Sequence, residues 1–155
     1  MGRLGDPVRW GVALALALVL ASSLASAVSG PEPTLEQLKD RVSSASVSDK
    51  VRICLQIAQR QLVATDKSYA AAEDEPGKAA LTDVVAFSEL ARDYAIRSHH
   101  HEKETEIAVR GMARKLTDLM RTLPHDEQPP LQDALSHLQR VRDDLLIAMF
   151  PKGAK

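Results

Sequence analysis

The sequence predicts an all-α protein: elongated antiparallel helical hairpins or a bundle, with three main helices, one of them long and central, and a short helix before them. Two observations carry this. Apolar side chains recur at steps of three and four from Thr34 to Met149, the period of a helix face. Proline and glycine are confined to a few points between such stretches. Aromatic residues are only 3% of the chain, so aliphatic side chains and alanine must fill the core.

Residues 1–27 read as a secretory signal peptide. Arg3 and Arg9 precede an apolar run from Gly11 to Leu24, and Ala25-Ser26-Ala27 follows as a small-x-small cleavage site. The run is about 14 residues, short of the roughly 20 that span a bilayer. No stable membrane insertion is therefore expected after cleavage. No cysteine follows it to serve as a lipid attachment point. Residues 28–33 (VSGPEP) form a flexible leader, residues 34–150 a single helical domain, and residues 151–155 a short basic tail.

Within the domain, Thr34 with Gln37 matches a capping box and opens a short helix to about Ser43. Ser46 with Asp49 resembles a second cap. Val51, Leu55, Ala58, Leu62, Thr65, Tyr69 and Ala72 then form a heptad seam, widened by Cys54 and Ile57. Pro76-Gly77 marks the expected turn into the next helix. From Lys78 to Leu123 there is no proline, and Gly111 is the sole glycine. The seam Val84, Ser88, Ala91, Ala95, Ser98, Glu102, Thr105, Val109, Met112, Leu116, Leu119, Leu123 never slips. One continuous central helix of about 69 Å is expected, with the flanking helices packed antiparallel on its two halves. A compact bundle with this helix broken near His99 is the alternative. Pro124 stops it, and the last helix runs from Leu131 to Met149 on Leu131, Leu135, Leu138, Val141 and Leu145. Neither half has a thick core by itself, which favours a homodimer that covers exposed seams.

The address and the charge limit function. Removing Arg3, Arg9 and Asp6 from 20 basic and 21 acidic residues leaves a net charge of about −2. Nothing in that balance draws the protein to nucleic acid or an anionic membrane. One cysteine, Cys54, cannot close an internal disulfide, and it reads as a buried small hydrophobe. The absence of asparagine removes any glycosylation sequon. Export to a bacterial periplasm, or secretion, fits these features.

The candidate chemistry lies in Arg97–Glu106 (RSHHHEKETE), the stretch of the central helix without an apolar residue. His99, His100 and His101 with Glu102 and Glu104 are competent ligands for zinc, nickel or copper. On a helix, His100 and Glu104 share one face and His99 and Glu102 another. A tight site would need ligands from a second helix or subunit, and no diagnostic motif such as H-E-x-x-H is present. A solvated helix surface is the plain alternative. Gly111 is expected to permit a close helix crossing. Arg110, Arg114, Lys115 and Arg121 read as a solvated face paired with Asp118, Asp143 and Asp144. No nucleophile elbow, phosphate loop or haem-attachment motif occurs. The expected function is that of an exported, non-enzymatic helical protein acting by association with a protein partner, as scaffold or chaperone-like factor. A divalent-metal-binding or metal-sensing role for the histidine cluster is the alternative.

Overall fold

The computed structural model describes residues 32–151, and its chain divides into Met1–Glu32 and Pro33–Lys155. The signal peptide expected over residues 1–27, most of the leader and the end of the tail lie outside the described residues. The described part is all-helical: α1 Leu35–Ser44, α2 Val47–Ala70, α3 Asp74–Ser98, α4 Glu102–Thr122 and α5 Pro129–Met149, with a short 3-10 turn at His125–Glu127. No helix among the described residues is long and apolar enough to cross a membrane.

Helix starts follow their caps. Thr34 and Gln37 exchange hydrogen bonds of 2.9 and 3.2 Å between side chain and backbone. The Ser46 hydroxyl accepts from the Asp49 N–H at 3.2 Å. These bonds satisfy first-turn donors that no helical carbonyl reaches.

The α2–α3 turn differs from the expected Pro76-Gly77. It is made by Ala71, Ala72 and Glu73, with Ala72 left-handed at φ 56°. The Glu73 N–H reaches the Ser68 carbonyl at 2.8 Å and the Ala72 N–H the Tyr69 carbonyl at 3.1 Å, the bond pair of a Schellman end. Pro76 sits in the first turn of α3, where its missing N–H costs nothing. Gly77 lies under the Tyr69 ring: a Cβ there would stand 3.1 Å from Tyr69 Cε2.

The continuous central helix is the main correction. The chain leaves α3 after Ser98 and re-enters a helix at Glu102. His99 and His101 are both left-handed, at φ 53° and 69°. The His100 N–H bonds the Ala95 carbonyl and the His99 N–H the Ile96 carbonyl, each at 3.3 Å, closing α3 as α2 is closed. The physical reason is tertiary. No apolar side chain between Arg97 and Glu106 holds a straight helix in place, whereas folding back covers both apolar halves at once.

The result is two hairpins, α2/α3 and α4/α5, packed side by side. Across the first, Gln61 donates to Asp83 and Lys50 lies 5.5 Å from the Tyr94 ring, so α2 and α3 run antiparallel. Across the second, Arg142 Nε donates to Glu106 Oε1 at 3.1 Å. Between hairpins, α3 lies parallel to α5: Glu89 meets His137 at 2.9 Å and Arg92 meets Asp144 at 3.0 Å. One core joins all four helices through Val51, Ala58, Leu62, Val84, Ala95, Val109, Met112, Leu116, Leu131, Leu138, Val141 and Leu145. Each fully buried leucine contributes about 2 kcal/mol. The seam hydroxyls Thr65, Ser88 and Thr105 are buried but satisfied, each donating to the carbonyl four residues back. α1 lies outside this core and packs Leu38 on Ile53 and Ile57. Lys39 fixes it to α3 through Asp83 at 2.9 Å and the Phe87 ring at 5.8 Å.

Gly111 is exposed, and a Cβ there would meet nothing within 4 Å. It therefore makes no close helix crossing, contrary to the expectation from its position. Cys54 is fully buried and unpaired, and burial pushes its thiol up to about 11.

Candidate functional site

The five predicted metal ligands are not brought together as a helix would have brought them. The left-handed turns at His99 and His101 rotate the three imidazoles away from the helical faces assumed for them. His99 and His100 are exposed, and Glu102 is the first residue of α4. One pair forms, His101 Nδ1 with Glu104 Oε2 at 2.6 Å. Among the described residues no group of three or more His, Cys, Asp or Glu side chains is placed to hold a metal ion. Glu102 and Glu104 also sit in the first turn of α4, where carboxylates favour the positive end of the helix dipole. Cys54 is fully buried on α2 and belongs to no such group.

Three charged contacts that the sequence did not reveal tie the helices together. Glu106, expected on a solvated face, is 7% exposed and held by Arg142 at 3.1 Å, with Arg110 at 3.7 Å. A buried carboxylate is costly unless paired in this way. Arg92 clamps Asp144, and Glu89 holds His137, whose other ring nitrogen is 3.9 Å from Asp133. The latter two contacts exist because the chain folds back at His99, so a reading that ran the helix straight had no way to pair α3 with α5. Glu106 was closer to being legible, since it lies beside the seam residues Thr105 and Val109.

The acids assigned to the basic stretch are also rearranged. Asp143 accepts from Gln139 at 2.7 Å and Asp144 belongs to Arg92, leaving Asp118 to pair with Arg121 at 3.3 Å. Arg110, Arg114, Arg121 and Arg142 line one groove of about 690 Å³ between α4 and α5 together with Asp118, with Arg110 and Arg142 paired to Glu106 and Arg121 to Asp118.

On its other flank α4 meets α2 loosely, and a second groove of about 430 Å³ opens there. Leu62, Val63 and Leu119 form its apolar lining, with Asp66, Lys115 and Asp118 among its polar residues. Val63 is 50% exposed and stands off the α2 seam, which is why periodicity did not single it out. α4 is thus a ridge between an apolar groove and an arginine-lined one.

At the far end, Tyr69 is 6% exposed and its hydroxyl has no hydrogen-bond partner. Burial pushes the phenol above its ordinary range, so it stays protonated at neutral pH.

No protein family matches the chain, and no curated protein or solved structure is significantly similar to it. The geometry of these surfaces is therefore what a functional reading rests on.

Proposed function

We propose that this is an exported, non-enzymatic helical protein that works by binding another protein along the α4 ridge. The observation that carries the reading is the apolar α2/α4 groove, where Val63 is half exposed beside Leu62 and Leu119. Apolar side chains that rim a groove between packed helices are suited to receive an apolar helix face. The occupant is an amphipathic helix of the partner, whose apolar stripe would sit on Val63 and Leu119. An acidic side chain beside that stripe would meet Lys115, which lines the same groove. The ion pairs at Glu106 and Arg92 hold the helices together.

The experiment places a photo-crosslinking residue at Val63 and, as a control, at the exposed Arg52 of the same helix, in cells that make the protein. One discrete adduct at Val63 and none at Arg52 is the expected result. Equal labelling at both positions, or no adduct at Val63, would overturn the reading. The export half is tested separately by mass spectrometry of the recovered chain, which should begin at Val28.

A further inference from the structure

The segment His99–His101 combines two properties that rarely occur together. It is a tight reversal containing two left-handed non-glycine residues, at φ 53° and 69°. It also interrupts a stretch with no proline, no glycine and no slip of register: the seam Val84, Ser88, Ala91, Ala95 of α3 continues in phase, through Ser98 and Glu102, into Thr105, Val109, Met112, Leu116 of α4. The left-handed conformation is disfavoured for any residue with a Cβ. A straight helix through this segment would relieve both residues and add the backbone hydrogen bonds that the turn lacks.

Straightening by itself would expose the faces that the fold-back covers, including the contacts of Arg92 with Asp144 and Glu89 with His137. A second copy of the chain can supply those faces unchanged. The α4/α5 hairpin of one copy would then lie against the α2/α3 hairpin of the other, and the reverse, about a two-fold axis at residues 99–101. Because the seam keeps its phase across the break, its two halves fall on one side of the straightened helix, where the antiparallel partner lies. Short strained hinges between units that keep their own packing are the setting in which such exchange occurs.

We propose that His99–His101 is a hinge, and that this chain forms a domain-swapped homodimer in which α3 and α4 join into one continuous helix. The inference is independent of the partner-binding grooves, which lie within or between the same helices in either state.

The test uses protein recovered from expression of the full chain, with two double variants. His99→Gly/His101→Gly favours the left-handed turn, and His99→Ala/His101→Ala favours the helix. Glycine and alanine differ about fivefold per helical position, and a dimer contains four such positions, so the dimer dissociation constants should differ by at least several hundredfold. Light scattering after size exclusion reads this difference. Swapping is separated from side-by-side pairing by spin labels at Ala86→Cys and Arg114→Cys in a Cys54→Ala background, with labelled chains diluted in unlabelled ones. The 28-residue separation in a continuous helix gives about 42 Å within one chain, against about 20 Å or less when the helices fold back. A dimer of the alanine variant with the long distance supports the proposal. A strictly monomeric alanine variant, equal dimerisation of both variants, or a dimer with the short distance overturns it.

Discussion

Gly77 and Gly111 submit the packing to a test in which one substitution has opposite signs at two positions. Both glycines lie within helices. At Gly111 a Cβ meets nothing within 4 Å and the position is exposed. Alanine there changes intrinsic helix preference and little else, a gain of about 1 kcal/mol. For a domain of this size that is a rise in Tm of about 4 °C. At Gly77 the same Cβ would stand 3.1 Å from Tyr69 Cε2 and 3.2 Å from Cδ2. That ring is 6% exposed and has little room to move. Overpacking costs about 1–3 kcal/mol, which exceeds the helix gain, so Gly77→Ala should lose about 1 kcal/mol. Urea unfolding followed by far-ultraviolet circular dichroism gives both values, with the slope checked for constancy so that midpoints can be compared. Destabilisation at Gly111 would mean that a helix or partner crosses α4 there and would refute the open ridge. A gain at Gly77 would refute the close contact of α3 with Tyr69.

The other expectations concern buried groups. Tyr69→Phe should leave stability unchanged or raise it by up to about 1 kcal/mol in thermal unfolding, because the hydroxyl is buried without a partner. Arg142→Ala should destabilise by about 2 kcal/mol, since it strips the nearly buried Glu106 of its 3.1 Å partner; the double variant with Glu106→Gln should recover part of the loss. Leu138→Ala, at a fully buried position of α5, should cost about 2–5 kcal/mol in urea. Cys54 sets an alkaline limit. Its folded value, about 11, lies above the unfolded 9.0, so its contribution is complete below pH 9 and fades as pH rises toward 11. The loss should reach roughly 2 kcal/mol, and Cys54→Ala should flatten that slope in a pH series of midpoints.

How far the sequence could be read depended on whether a signal was local. The caps at Thr34 and Ser46 are three-residue patterns, and both are present as side chain to backbone bonds. The buried seam of α2, from Val51 to Tyr69, follows from spacing alone. The turn after α2 was misplaced because Pro76 and Gly77 are usual breakers, yet proline is equally at home in a first helical turn. The left-handed residue is instead Ala72, which carries no such mark. The break at His99 carries no proline, no glycine and no slip of register; its one local mark is the absence of apolar side chains from Arg97 to Glu106, which left a helix broken there as the alternative. It is decided by what α3 gains from α5, a contact between residues about fifty apart. The shared faces assumed for His100 with Glu104 and for His99 with Glu102 are missing for the same reason, since both presupposed a helix. The arginine groove was hidden because Asp144 was assigned to its neighbours on the ridge when it serves Arg92 on α3.

The hairpin arrangement also sets an order of events during folding. Gln61–Asp83 and Glu106–Arg142 within the hairpins span 22 and 36 residues, whereas Glu89–His137 and Arg92–Asp144 between them span 48 and 52, so the hairpins are expected to close before they dock. At that final step each finished hairpin sees its own mate at an effective concentration of the order of millimolar. A dilute chain therefore meets itself first. When many chains complete their hairpins together, as after a burst of synthesis, a neighbour's hairpin competes on nearly equal terms. The history of the preparation, rather than the sequence alone, would then govern which product is recovered.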